Sequence, residues 1–376
     1  MDLPDTIYYD CNIVNNDKQN PQRLIFHDIR SSPILSNPEL YQLSVIRFTM
    51  ETGNSLPIFI PSIQIGQPNI NLTPYSFTLS YSYNSSMQVD SDQIYLQHIP
   101  IDFSIFQPPP PASMQDVYNN PYYYIYSYQI ITDMMNNALS QAMQSLVTKA
   151  AFYGQALPTN NAPFFEFDME NSKFILSGDV VAFDLGAPNY ISIQCNTAMY
   201  SLISSFVAFN QGTNIPYGMN YKFRLYKDPR SLNVYKIDNT YSVVQLYQDY
   251  DCASLFSPIS SISFCTNMIP VLPANVAKPQ IIGGNTSLTT SGNNNNISSV
   301  ITDFQSDGSY GFSGILSYLP QAEYRMIDLN NSAGQLNNVD ITVFWKDNYA
   351  NLHQMYLMSG CKCDIKILFR KKKPSF

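Results

Sequence analysis

Most of this chain is written in short segments in which apolar and polar residues alternate, each ended by a cluster of Asn, Pro, Gly or Ser. Side chains on a strand point to opposite faces in turn, so a period of two marks a half-buried β-strand. Phe77 to Tyr83 shows it cleanly, with Phe77, Leu79, Tyr81 and Tyr83 against Thr78, Ser80 and Ser82. Tyr221 to Tyr226 sets Tyr221, Phe223 and Leu225 opposite Lys222 and Arg224. Leu43 to Met50 reads as buried on both sides, with Leu43, Val45 and Arg47 on one face and Ile46, Phe48 and Met50 on the other. Further strands are expected at Ile58–Ile65, Gln93–Ile99, Lys173–Val181, Tyr190–Gln194, Tyr241–Tyr247, Ile259–Thr266, Val339–Trp345, Leu352–Met358 and Asp364–Phe369. A dozen short strands with turns between them predict an all-β sandwich, jelly roll or barrel, not an α/β sheet.

One segment changes period. From about Ser127 to Ala151, apolar residues at Ile131, Met134, Met135, Ala138, Ala142 and Leu146 recur at three- and four-residue spacing, and Gly154 and Pro158 follow. This predicts an amphipathic helix. A shorter helix is expected after Asn196 as N-cap, burying Tyr200, Leu202, Ile203 and Phe206. Helices set among strands cover a sheet edge or a sandwich end. The Pro108–Pro111 run is extended and stiff and precedes Tyr122, Tyr123 and Tyr124. Gly283 to Ser299, with Asn293–Asn296 in a row, is low-complexity and reads as an exposed loop. Residues 1–38 have little periodicity beyond Ile7–Tyr9 and Leu24–Phe26 and read as an arm that orders on assembly.

Only 13% of the 376 residues are charged, about half the usual share for a soluble domain. The chain holds 28 Tyr, 22 Phe and 25 Pro against one Trp and three His. Tyr offers large contact area at small entropic cost and is enriched at interfaces, so this composition suits a surface covered by neighbours. The net charge of −8 argues against a nucleic-acid-binding surface overall. Arg370, Lys371, Lys372 and Lys373 form a local exception, read either as a solvated tail or as an inward-facing tail touching a genome or an acidic neighbour. The N-terminus lacks a basic start followed by an apolar run, and no 18 apolar residues run together, so neither a secretory signal nor a membrane span is expected. Cys11, Cys195, Cys252, Cys265, Cys361 and Cys363 have no second pair at metal-like spacing and read as buried free thiols of a reducing cytosol or nucleus.

Catalytic patterns are sparse. His27, His98 and His353 each lack a metal-type partner, and His27 and Asp28 would point apart in a strand. Phosphate loops, dinucleotide fingerprints and the Gly-x-Ser-x-Gly elbow are missing; Gly311-Phe312-Ser313-Gly314 reads as a turn. Glu166, Asp168 and Glu170 alternate on a possible strand face and Asp249 and Asp251 lie two apart, which leaves glycoside hydrolysis or calcium binding as lesser alternatives. The sequons at Asn71, Asn84, Asn285 and Asn296 are expected by chance at this composition. No enzyme, cofactor or metal is expected.

Two stretches then carry a resemblance. Asn37-Pro38-Glu39-Leu40-Tyr41-Gln42-Leu43-Ser44-Val45-Ile46-Arg47-Phe48 is followed by Leu56-Pro57-Ile58-Phe59-Ile60-Pro61. Near the other end, Val343-Phe344-Trp345-Lys346-Asp347, a turn at Asn348 to Asn351, and Cys363-Asp364-Ile365-Lys366-Ile367-Leu368-Phe369-Arg370 lead into the basic tail. The middle adds Asn136-Asn137-Ala138-Leu139 within the helix and Ala162-Pro163-Phe164-Phe165. Together these resemble minor capsid or penton-type proteins of icosahedral DNA viruses related to virophages and Polinton-like elements. The resemblance implies a jelly-roll sandwich assembling as a homopentamer at capsid vertices, partnered by the major capsid protein, with assembly in the host cytoplasm or nucleus. It implies no catalytic residues and a tail from Arg370 that faces the genome. The middle of the chain exceeds one eight-stranded roll, so an additional or inserted β domain and one or two short covering helices are expected. The expected layout is an arm at 1–38, the first part of the sandwich at 39–120, an inserted or second β domain at 121–280, a loop at 281–300, and closing strands with the basic tail at 301–376. The alternatives are a receptor- or glycan-binding spike or fibre head and a β-rich carbohydrate-active enzyme.

Overall fold

The computed structural model describes residues 4–18, 21–53, 56, 59–60, 72–84, 87–97, 123–124, 127–212, 218–227, 236–237, 241–257, 259–272, 299–306, 310–320, 325–330, 334–347 and 352–373. His98, the Pro108–Pro111 run, Tyr122, Asn71, Asn285 and the Asn293–Asn296 loop lie outside these residues. The chain divides into two compact units, one formed by the described residues up to 56 and from 259 onward, the other by those between 59 and 257.

The first unit is a sandwich of two antiparallel five-stranded sheets, the jelly-roll type that the alternating segments predict. In one sheet the order is Thr6–Val14, Lys362–Lys371, Tyr41–Glu51 and Ile315–Tyr318, with Ile327–Asp328 also pairing Tyr41–Glu51. In the other, Ser299–Phe304, Ile259–Thr266, Asn338–Asp347 and Leu352–Gln354 lie side by side, and Ile25–Ile29 pairs Asn338–Asp347. Phe48 of the first sheet meets Phe264 of the second edge to face, their centroids 5.1 Å apart. Val339, Ile341, Val343 and Trp345 alternate into the same core.

Two features of this unit differ from the sequence reading. The segment read as an arm supplies the Thr6–Val14 strand, which pairs the C-terminal strand residue for residue from Thr6 with Arg370 to Val14 with Lys362. The strand Tyr41–Glu51 is not buried alternately on both faces. Its register on the C-terminal strand shifts between Lys366 and Ile367, so that Arg47 faces Lys366 while Val45 faces Ile367. The extra residue is Ile46, and such a bulge reverses the parity of everything after it. Leu43, Val45, Phe48 and Met50 therefore all reach the core, and Arg47 turns outward.

In the second unit a six-stranded sheet runs Ala208–Asn210, Tyr221–Phe223, Tyr190–Cys195, Leu72–Tyr83 and Met87–Asp90, with Ile94–Gln97 also on Leu72–Tyr83. A four-stranded sheet runs Phe164–Asp168, Lys173–Asp179, Tyr241–Tyr247 and Lys236–Ile237. Phe77, Phe165, Phe206 and Phe223 interlock between them at centroid distances of 5.7 to 6.5 Å. The predicted amphipathic helix spans Tyr128–Phe152, 25 residues. Ser127 caps it by accepting from the Ile130 amide, and Gly154 follows its end at φ +68°. The second helix is capped as expected by Asn196, whose side chain accepts from the Met199 amide at 2.9 Å; it spans Thr197–Leu202 and buries Met199 and Leu202, with Ile203 and Phe206 buried just beyond. A four-residue helix at Val180–Phe183, capped by Asp179, was not foreseen. Tyr310–Ser313 is likewise one helical turn, closed by Gly314 at φ +67°.

Candidate interaction surfaces

The C-terminal strand is the central element of its sheet, held by Thr6–Val14 on one side and Tyr41–Glu51 on the other. Cys363, Ile365, Ile367 and Phe369 point to the core and Asp364, Lys366 and Arg370 point out. The outward row carries a ladder of charges across three strands. Lys366 Nζ lies 3.3 Å from Asp10, Arg47 Nη2 lies 2.8 Å from Asp364, and Arg47 also reaches Asp10 at 3.9 Å. Lys366 further sits over the Tyr8 ring at 5.5 Å.

The basic run begins inside this strand. Arg370 pairs in register with Thr6 and Gln42, and Lys371 pairs with Tyr41 while its amide donates to the Asp5 carbonyl. The Lys372 amide donates to the Leu40 carbonyl, and its ammonium lies 3.4 Å from Asp328. Arg370 and Lys373 are exposed. Arg370, Lys371 and Lys372 are thus held at the end of an interior strand rather than strung on a free tail, and Lys373 follows them.

Where the edges of Thr6–Val14 and Ile25–Ile29 approach each other, a recess of about 620 Å³ is lined by Tyr8, Asp10, His27, Asp28, Arg30 and their neighbours. Tyr9 plugs its floor, packing edge to face on Phe26 at 6.1 Å and donating its hydroxyl to Asp28. Burial and the Asp28 carboxylate push the Tyr9 hydroxyl up to about 12. The Tyr9 donor, with Arg30 Nε at 3.2 Å, holds the Asp28 carboxyl below its ordinary range. His27 and Asp28 point to opposite sides of their strand, as adjacent strand residues must.

The carboxylates with possible catalytic spacing do not converge. Glu166 is half-buried on Phe164–Asp168, and burial raises its carboxyl above the ordinary range. Asp168 ends that strand and accepts from the amides of Glu170 and Asn171 and from the Asn171 side chain, so it builds the turn and is held low by those donors. Glu170 stands in that turn, off the strand. Asp249 and Asp251 are exposed, with the Asp249 backbone bonded to Ser205 and Lys173. Among the described residues no three His, Cys, Asp or Glu side chains gather as metal ligands. No helix among them is long and apolar enough to cross a membrane.

All six cysteines are free, and all but Cys361 are buried. Burial pushes the Cys11 and Cys265 thiols up to about 12 and Cys252 to about 11, far from a reactive thiolate. His353 lies on Leu352–Gln354, opposite Trp345. Sequence reasoning missed the recess and the charge ladder: the recess forms between strands of two different sheets, and the ladder joins Asp10 and Arg47 to residues of the C-terminal strand.

Comparisons with known proteins place the chain in a family. The chain is 37% identical over 147 residues to an uncharacterized protein V18 of Sputnik virophage, a match covering 38% of this chain and 85% of that protein. It is similar to a chain in the 3.5 Å cryo-EM structure of the Sputnik virophage, with a TM-score of 0.70, 25% identity, and coverage of 98% of this chain and 99% of that one. It also shares the fold of the mavirus penton protein, with a TM-score of 0.55, 16% identity and the same coverage. The family described as Sputnik minor capsid protein V18/19 matches residues 7–371, from within the first strand of the sandwich to the last residue of its C-terminal strand. The chain belongs to that family of minor capsid proteins.

Proposed function

We propose that this minor capsid protein forms a homopentamer at the vertices of an icosahedral virion, where its work is geometric and it catalyses nothing. The observation that carries the reading is the family match over almost the whole chain. The likeness to a penton protein in fold adds support, as do the aromatic, charge-poor composition and the role of Asp168 in a turn. A wedge-shaped sandwich repeated around a closed ring buries such surfaces without exposing a hydrophobic face. Its partners are further copies of itself and the major capsid protein, and assembly takes place in the host cytoplasm or nucleus. Arg370, Lys371, Lys372 and Lys373 form a phosphate-attracting rim directed at the packaged genome. Labelling of purified particles with an antibody against the chain tests the placement. Label confined to vertices supports it, and label spread evenly over the facets contradicts it.

A further inference from the structure

Among the described residues the jelly-roll unit has two sides that end in edge strands. On one, the strands Thr6–Val14 and Ile25–Ile29 are the edges of their sheets, joined by the Tyr9–Phe26 ring contact. On the other, Ile315–Tyr318 and Ser299–Phe304 are edges, joined by Tyr318 stacked on Phe304 at 4.6 Å. Natural edge strands are blunted by Lys, Pro, bulges or shortness. Thr6–Val14 has none of these. It is nine residues long, contains neither Lys nor Pro, and its register is unbroken. Among the described residues it pairs on one side only. Large apolar side chains stand exposed on both sides, Tyr8 and Ile29 at 59% and 66%, Ile315 and Leu319 at 48% and 69%.

We infer that the Thr6–Val14 side of one copy docks on the Ile315–Tyr318 side of the next, so that the sheets run on from subunit to subunit. The inference rests on the pentamer reading and names the contact that would close the ring. An odd-numbered ring requires a heterologous contact between two different patches of the same chain, and these two sides are such patches. Strand direction fits as well. In each sheet, four successive antiparallel strands separate one side from the other: Thr6–Val14 to Ile315–Tyr318 in the first, Ile25–Ile29 to Ser299–Phe304 in the second. The first and last of four antiparallel strands run in opposite senses. Copies arrayed about an axis along the strands therefore meet antiparallel at both sheets, the sense that edge backbones accept most readily. Thr6–Val14 is nine residues long, while Ile315–Tyr318 and Ser299–Phe304 are four and six, so the shared length is roughly 13–20 Å with the packed sheets about 10 Å apart. With side chains the strands alone contribute on the order of 400 Å² per partner, about half of the roughly 800 Å² of a stable isolated pair, and closure of the ring, in which every subunit uses both sides, adds to it.

Cysteine cross-linking of the full chain tests this. Asn12 and Ser317 are both exposed on the outer face of the same sheet and lie at the same height along the strands, through Asp364 and Thr49, so Asn12→Cys combined with Ser317→Cys would place two thiols across the junction. Under mild oxidation the double variant is expected to give covalent multimers up to the closed ring on a non-reducing gel, while each single variant and the native chain give none. Tyr8→Lys with Val14→Lys, at exposed positions that leave the fold intact, should weaken assembly at least about tenfold by placing charges in the junction. Rings that form without cross-links, or an Asn12→Cys variant that cross-links to itself, would overturn the inference and leave the pentamer standing. A native chain that stays monomeric would overturn both.

Discussion

The two β units solve the same problem differently, and the contrast lies in their outward faces. In the jelly-roll unit, the face opposite the core bears Asp10, Lys366, Arg47 and Asp364, half-exposed and paired across three strands. In the second unit, the corresponding face of the six-stranded sheet bears Ser76, Thr78, Ser80, Ser192 and Gln194, all buried. Ser76 accepts from Gln93, while Thr78 Oγ1 and Ser80 Oγ have no hydrogen-bond partner among the described residues. Charges suit a face in contact with water, where each pair contributes little and salt weakens it. Small hydroxyls let a face be buried without the desolvation cost of an ion. This face is polar without ions, in keeping with the low charge of the chain as a whole.

The largest expected effects lie in the two cores. Phe264→Ala in the jelly roll and Phe165→Ala in the second unit should each cost about 3–5 kcal/mol, since both rings are fully buried among other aromatics. Denaturant unfolding reads this out, and a loss under 1 kcal/mol at either site would show that its core is loosely packed. Buried polar anchors come next. Asp340 is buried and accepts from the Thr266 hydroxyl and the amides of Asn267 and Met268. Its replacement by Ala should cost about 2–3 kcal/mol by leaving those donors unpaired. In the second unit, Asn136 reaches from the long helix to the Phe165 amide at 2.7 Å and carbonyl at 3.0 Å. Asn136→Ala should cost about 1–3 kcal/mol and raise amide exchange at Phe165 first. The smallest effect belongs to the charged face. Arg47→Met should change stability by less than about 1 kcal/mol, and that difference should shrink further in high salt. If Arg47→Met cost as much as Asp340→Ala, the view of the charged ladder as a solvated face would fail.

Much of this architecture was legible because the local signals were strong. Tyr241–Tyr247 and Ile259–Thr266 form strands with the bounds their alternation suggested, and the switch to a 3.6-residue period marked the long helix to within a residue. What escaped depends on pairing. Ile7, Tyr9, Cys11 and Ile13 alternate, but so short a run at a chain end looks like an arm until Lys362–Lys371 is seen beside it. The bulge at Ile46 could not be read either, because a bulge is a property of two strands and one sequence shows only one of them. The basic run reads as a tail in the sequence, yet its first two residues belong to a strand. The carboxylates at 166, 168 and 170 followed the strand period on paper, yet the strand ends at Asp168 and the last of them falls in the turn.

The central claim is that the chain works as a closed ring of identical subunits. Light scattering on the purified full chain, at concentrations spanning the micromolar range, measures this directly. The account predicts one particle of five times the 42.6 kDa chain mass; a monomer at every concentration would contradict it.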